Sequence, residues 1–441
     1  MLVRRSCALT RAQRDPPART PWPMLALCAL AAVAAGLAPG CTDQVTLDAD
    51  SVGGDTVSNP DTPGGDSDSG GPLQVIELGA LATDAQGISA EVAFEIDSAA
   101  SAFVIELNAD EGVALTIASL RAPDGLTVVP PAWIGLSGSP WLCETPCANR
   151  IAARPGQAAF LFPNTPLMTV RPGTWTMRAY AFSATGADPA PVAAPLSARV
   201  VVVRTPQGRT PGNALPFNLC LTGAMGINAE IAQAHPRVQA ALGEVTATFA
   251  QAGLVLAPLR YLDVVDAPQV VASIQGDGND LHQLFSASEG LPLGVNVFLV
   301  ERFDVAGAEG HGAGPVLGIA GGIPGPVLQT GGPRTGVAVA LALELGQPDR
   351  LGRVMAHEVA HYLGLFHSSE AAAVDGSSHH DNLPDTSDDD PDNLMYWKVG
   401  SGAGQISADQ AAVLAHNPWL LADQMEMEKL SADPIEADSG P

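Results

Sequence analysis

The sequence predicts two folded regions of different class. An all-β sandwich is expected over residues 73–205, and an α/β (α+β) domain with a mixed twisted sheet over residues 213–422. Short β-rich runs divided by turn residues fill the first region without a long helix. Helical and strand-like apolar patterns alternate through the second, and the Pro/Gly stretch "RTPQGRTPGN" lies between them. At 441 residues the chain is long for one domain, and 46% hydrophobic against 15% charged residues suffices for packed cores.

In the first region "ISAEVAFEID", "SAFVIELNA", "TWTMRAYAFS" and "ARVVVVR" read as strands, separated by turns such as "APDGL" and "RPGTW", where Gly takes positive φ. No ligand-type or catalytic groups gather there, so an accessory packing or binding role is expected. In the second region "PFNLCLTG", "LVLAPLRYLDVV", "GVNVFLVERFD" and "GVAVALALE" read as strands. "HPRVQAALGEVTATFAQAG" and "PDRLGRVMAHEVAHYLG" carry helical spacing, with Asp349 as N-cap of the latter. "SADQAAVLAHNP" closes the region as a helix capped by Ser407.

The ends are different in kind. Residues 1–40 carry a positive stretch (Arg4, Arg5, Arg11, Arg14, Arg19) and then the short apolar core "LALCALAAVAAGLA". This is the pattern of an export signal, too short to span a membrane. Residues 41–72 hold seven Asp and no Lys or Arg, which predicts an extended acidic tether. Residues 423–441 read as an acidic flexible tail. Over the whole chain 21 Lys and Arg face 47 Asp and Glu, a net charge of −26. Such a balance repels polyphosphate and anionic membranes, so no nucleic-acid partner is expected. Cys143 and Cys147, in "CETPC", are spaced to close a small disulfide loop in an oxidising compartment, and Cys220 reads as a buried core thiol.

The densest chemistry lies in "VMAHEVAHYLGLFHSSE", which places His357, Glu358, His361, Gly364 and His367 in the order H-E-x-x-H-x-x-G-x-x-H. Helical positions i and i+4 share a face, so His357 and His361 can meet one ion. Gly364 can leave the helix in a left-handed conformation and return the chain towards the ion, where His367 completes three protein ligands. Three ligands leave a fourth position open, the mark of a catalytic rather than a structural zinc site. Glu358 projects beside the ion, the place for a general base. With 9 His and 46 Gly in the chain, chance placement has odds on the order of one in 10⁵.

The extended motif resembles the metzincin zinc metalloproteases. Met395 in "DNLMYW", 28 residues after His367, matches that family's Met-turn. Three further pieces are similar to the pappalysin-like branch. "LGIAGGIP" looks like its substrate-pairing edge strand, with Gly318, Ile319 and Ala320 at the centre. "NLPDTSDDD" holds an Asp385–Thr386 pair, and "ISADQAAVL" looks like the closing helix with Gln410. The resemblance implies a zinc-dependent endopeptidase, with His357, His361 and His367 on one catalytic zinc and Glu358 as general base. Two departures stand out. The branch's cysteines around the Asp-Thr pair are missing, and Trp397 sits where several metzincins carry a Tyr. "LAPGC" resembles the bacterial lipobox, which implies lipidation at Cys41 and a cell-envelope location, tethered to membrane only through the lipid. An ordinary cleaved signal and secretion is the alternative. "RPGTWTMRAYA" resembles the closing strands of bacterial pre-peptidase-type sandwich domains.

Other candidates have plainer readings beside them. Asp385, Asp388 and Asp390 lie in a loop without Lys or Arg, which suits Ca²⁺ or is a solvated acidic loop. His311, His379 and His380 read as loop residues, His235 as a helix-entry residue, and His282 and His416 as helix residues. Two rivals to the peptidase reading remain open. One is a surface binding lipoprotein with a non-catalytic zinc site, and the other a metal-dependent hydrolase acting on something other than peptides. The lone base Glu358 and the edge strand separate them from an endopeptidase.

Overall fold

The computed structural model describes residues 72–129, 149–184, 190–205, 212–264, 266–274, 276, 278–305, 315–342, 344–368, 381–387, 389–399, 402 and 404–420. The leader, Cys41, the tether as far as residue 71, Cys143, Cys147, His311, His379, His380, Asp388 and the acidic tail lie outside the described residues. Among the described residues no helix is long and apolar enough to cross a membrane. The fold is mixed α/β, mostly sheet with few helices.

The strands between residues 73 and 204 make two sheets. β1 (Leu73–Ala82), β9 (Pro195–Arg204), β3 (Ala100–Asn108) and β7 (Gln157–Phe162) pair antiparallel in that order. β2 (Val92–Ile96), β8 (Gly173–Ser183), β4 (Val113–Arg121) and β5 (Thr127–Val129) form the second, and β6 (Arg154–Pro155) pairs with β4. Alternation along the strands explains the packing, since neighbouring side chains point to opposite faces. Phe103, Ile105 and Leu107 of β3 join Val200 and Val202 of β9 in a core shared with Trp175 and Met177 of β8.

The intervening residues do not face water. Ala102, Val104, Ala159, Leu161 and Val201 belong to a second core with the C-terminal region. That is why "AFVI" and "VVVV" are continuously apolar rather than alternating: β3 and β9 are covered on both faces there.

The C-terminal region is built on the sheet order β11-β10-β13-β16-β15. β10 (Ala214–Leu221), β11 (Val255–Asp263), β13 (Val295–Val300) and β16 (Val337–Ala340) run parallel, and β15 (Gly318–Ala320) is an antiparallel edge. The sheet is mixed, as expected. β12 (Val270–Val271) pairs with β14 (Arg302–Phe303) beside it. α1 (Ala229–Ala234) and α2 (Pro236–Ala250) follow β10, α3 (Asp280–Ser286) precedes β13, and α4 (Pro348–Tyr362) and α5 (Ala408–Leu414) come last. His235 is the N-cap of α2, accepting from the Val238 N–H through Nδ1. Cys220 is buried in β10, with its thiol pushed up by burial. Asp349 is not the cap of α4: Pro348 takes the first helical position after Gln347, and Asp349 falls in the first turn. Proline wins there because its fixed φ suits N1, where its missing N–H costs nothing.

A buried ion pair locks the two regions together. Glu106 of β3, with no exposed surface, faces Arg199 of β9 at 2.6 Å. Its carboxylate also accepts from the Val327 N–H at 2.6 Å and from Gln329 Nε2 at 2.7 Å, while Arg199 donates to the Val327 carbonyl. These bonds fix the loop that leads from β15 towards β16. Removing one partner leaves a buried charge uncompensated, so Glu106→Ala is expected to lower stability by about 3–5 kcal/mol, read by urea unfolding.

His282 of α3 lies at the same junction, with Nδ1 3.4 Å from Glu111 Oε2 and Arg334 close by. Burial, then the Arg334 charge, lowers its pKa from 6.5 to about 4, outweighing the carboxylate. The folded state therefore refuses a proton that the unfolded chain accepts. Stability is expected to fall as pH drops from about 6.5 towards 4, and His282→Gln should flatten that slope in urea midpoints measured across the range.

Candidate metal centre

The helix α4 carries His357 and His361 one turn apart on its buried face, their ring centroids 4.7 Å apart. Its end is built to bring a third imidazole back. The Gly364 N–H donates to the His361 carbonyl at 2.8 Å and the Leu365 N–H to the Ala360 carbonyl at 3.0 Å. That pair of bonds is the Schellman motif, and Gly364 takes the positive φ of 113° it demands. A side chain is also barred there by packing, because a Cβ would lie 2.9 Å from Leu161 Cδ2 of β7. The chain then reverses, and His367 Nε2 comes to 3.1 Å from His357 Nε2 and 3.0 Å from His361 Nε2.

The outer ring nitrogens are spoken for. His357 Nδ1 lies 2.6 Å from the Leu394 carbonyl, and His361 Nδ1 lies 2.6 Å from the Leu365 carbonyl. A carbonyl oxygen only accepts, so both Nδ1 atoms carry hydrogen and both Nε2 atoms present lone pairs. Burial first, then His367 and His357, holds the pKa of His361 well below the ordinary imidazole value, with Arg154 adding to the effect. Two Nε2 lone pairs thus converge with His367 Nε2 in one spot, an arrangement suited to holding a cation. Tetrahedral bonds of about 2.0–2.1 Å set ligand nitrogens about 3.3–3.4 Å apart, close to what is found. The residues fit a metal ion. Among the described residues His357, His361 and His367 are the only such group.

Glu358 follows the first ligand and turns to β15. Burial pushes its carboxyl up to about 8, opposed by a hydrogen bond from the Ala320 N–H. Gly318 lies against it so closely that a Cβ would sit 2.5 Å from Glu358 Cγ. Gly318, Ile319 and Ala320 are half-buried and, among the described residues, pair on one side only, with Val339, Ala338 and Val337 of β16. The expected edge strand and the expected base are thus brought together.

Met395 is wholly buried. The turn acts through its backbone: the Leu394 carbonyl takes His357, and the Met395 carbonyl accepts from the Ser368 N–H at 2.9 Å, next to the third histidine. Asn393 holds the turn. Its Oδ1 accepts from the Met395 N–H and from Gln410 Nε2, and its Nδ2 donates to Gln410 Oε1. Gln410 in turn completes a capping box with Ser407, the expected cap of α5. Of the acidic loop, Asp385 receives Ser407 Oγ on one oxygen and the Asp409 N–H on the other, tying the loop to α5. Asp390 Oδ1 accepts from the Asp392 N–H.

Sequence reading missed Leu394, Leu365 and Asn393, and also Arg150, whose guanidinium reaches the third histidine from the sandwich. The first two act through backbone carbonyls, which carry no side-chain signal. Asn393 is legible only once Gln410 is known to face it.

No family model matches the chain. No curated protein matches it either. Among solved structures it is similar to infectious bursal disease virus of the Gt strain, at 13% identity and a TM-score of 0.19 over 31% of this chain and 33% of that one. The Gx strain gives 12% identity and the same TM-score over 31% and 34%. A family two carbohydrate esterase from Cellvibrio japonicus gives 9% identity and a TM-score of 0.14 over 52% and 66%. The chain thus spans about a third of the length of the viral structures it matches. Likeness at this level says nothing about the chemistry of the histidine site.

The contact between β15 and the base is testable directly. Gly318→Ala is expected to displace Glu358 or the strand and cost about 1–3 kcal/mol in urea unfolding, while the three histidines still take up metal in a competition titration.

Proposed function

We propose that the protein is a zinc-dependent endopeptidase of the metzincin type, nearest the pappalysin-like branch. The observation that carries this reading is the combination of three convergent Nε2 atoms, a carboxyl on the residue that follows the first of these histidines, and an edge strand against that carboxyl. A structural zinc site has no use for Glu358, which adds a buried carboxyl at a cost in burial. A bound zinc ion would supply Lewis acidity, activating water near neutral pH and polarising a scissile carbonyl.

The rest is done by the chain's own residues. His357, His361 and His367 hold the ion through Nε2, and the Leu394 and Leu365 carbonyls keep two of those rings in the required tautomer. Glu358 takes a proton from water and returns it to the leaving amine, and the Ala320 N–H keeps its carboxylate oriented for that exchange. The unpaired side of β15 offers backbone groups to an extended peptide, as edge strands do in β-augmentation. That favours peptides over other hydrolysable substrates. The leader and the acidic tether fit an exported, lipid-anchored protein of a bacterial cell envelope whose substrates are proteins or peptides at that surface.

Residues 42–441 are expected to cleave members of a peptide library in a chelator-sensitive manner, with activity restored by zinc. Glu358→Gln should bind zinc as the wild type does and lose about 10²–10⁴-fold in kcat/KM. Full activity in that variant, or cleavage indifferent to chelators, would sink the proposal.

A further inference from the structure

The third histidine is the least supported by its own element. His357 and His361 stand on α4, whereas His367 lies past the helix end, so its position depends on whatever grips the reversed chain. Much of that grip comes from the sandwich. Arg150, 5% exposed, precedes β6 and stacks its guanidinium on the Phe366 ring, 4.6 Å from the centroid. Its Nη1 donates to the His367 carbonyl at 3.5 Å, a long bond strengthened by the donor's charge. Arg150 is itself braced. Its N–H donates to Asn164 Oδ1 at 3.2 Å, and its carbonyl accepts from Asn164 Nδ2 at 2.5 Å. Asn164 Oδ1 also accepts from Asn382 Nδ2, and Thr165 Oγ1 donates to the Asn382 carbonyl. The sandwich thus holds the chain on both sides of residues 369–380: at Phe366 and His367 before, and at Asn382 after.

We infer that Arg150 is a positioning residue for His367, so that the sandwich sets the metal affinity of histidines it does not itself carry. The inference rests on the triad being a metal site. Stacking and the carbonyl bond act together on two consecutive residues, which fixes where the His367 backbone sits and so where its Nε2 points. An ion bound at about 2.0–2.1 Å tolerates little displacement of a ligand. Groups that orient metal ligands typically contribute 10–100-fold in affinity. The sandwich is on this account part of the metal centre rather than a removable cover, in keeping with the packing of Leu161 under Gly364.

Zinc affinity of the full chain without its leader, measured by competition with a chromophoric chelator, tests this, together with the d–d spectrum of the cobalt-substituted protein. Arg150→Ala is expected to weaken zinc binding about 10-fold or more and to change the cobalt spectrum. Arg150→Lys keeps the charge and stem but not the planar stack, and is expected to fall between the two. It decides the question if the alanine variant does not fold. Leu196→Ala, in the sandwich core at the end of β9 farthest from Phe162, serves as a control that lowers thermal stability without moving the zinc affinity. Folded Arg150 variants with wild-type affinity and an unchanged cobalt spectrum would overturn the inference and leave the metal site standing. A Leu196→Ala variant that loses zinc as Arg150→Ala does would also overturn it, by showing a general loss of stability. Failure of the wild-type chain to bind zinc would overturn both readings.

Discussion

The constraint on which the rest of the structure depends is the convergence of three imidazoles, with His367 Nε2 3.1 Å from His357 Nε2 and 3.0 Å from His361 Nε2, in a largely buried place. Such an arrangement is unfavourable by itself, since it takes imidazole nitrogens out of water. It persists because every route of escape is closed. The outer ring nitrogens of two histidines are committed to carbonyls, the helix end is locked by the Schellman bonds at Gly364, and the turn at Met395 closes the floor. The free energy needed to hold that geometry comes from the surrounding cores, and a cation would recover part of it.

The sandwich belongs to that scaffold. In its β1-β9-β3-β7 sheet, β9, β3 and β7 are covered on both faces, one against the partner sheet and one against the C-terminal region. Glu106 and Arg199 project from that sheet to hold the loop after β15, Leu161 lies under Gly364, and Arg150 reaches the third histidine. Each contact acts on a segment that the histidine-bearing helix needs but cannot itself hold. The edge strand and the reversed chain after α4 are short and irregular, and short irregular segments keep their shape only through neighbours.

Much of the fold could be read from periodicity. The strands around Phe94, Phe103, Trp175 and Val200, and the helices around Val245 and Val359, fall where their apolar spacing places them. β7, "QAAFLF", and the short α3, "DLHQLFS", were not anticipated, because six or seven residues are too few for strand and helix spacing to be told apart. The N-cap of α4 was misplaced by two residues for a local reason: Asp349 has the right side chain, but Pro348 before it already occupies the first turn.

The sequence by itself determined the clustering of the three histidines, because i, i+4 spacing and a glycine three residues on are local facts that any helix converts into geometry. It likewise determined that Gly364 must end the helix and that Ser407 caps α5. Only the tertiary structure decided what surrounds those residues: the carbonyls that set the tautomers of His357 and His361, the Asn393–Gln410 pair beneath Met395, the approach of Gly318 to Glu358, and the reach of Arg150 to His367. These are contacts between segments far apart in sequence, several made by backbone atoms common to every residue. Spacing along the chain therefore holds no trace of them.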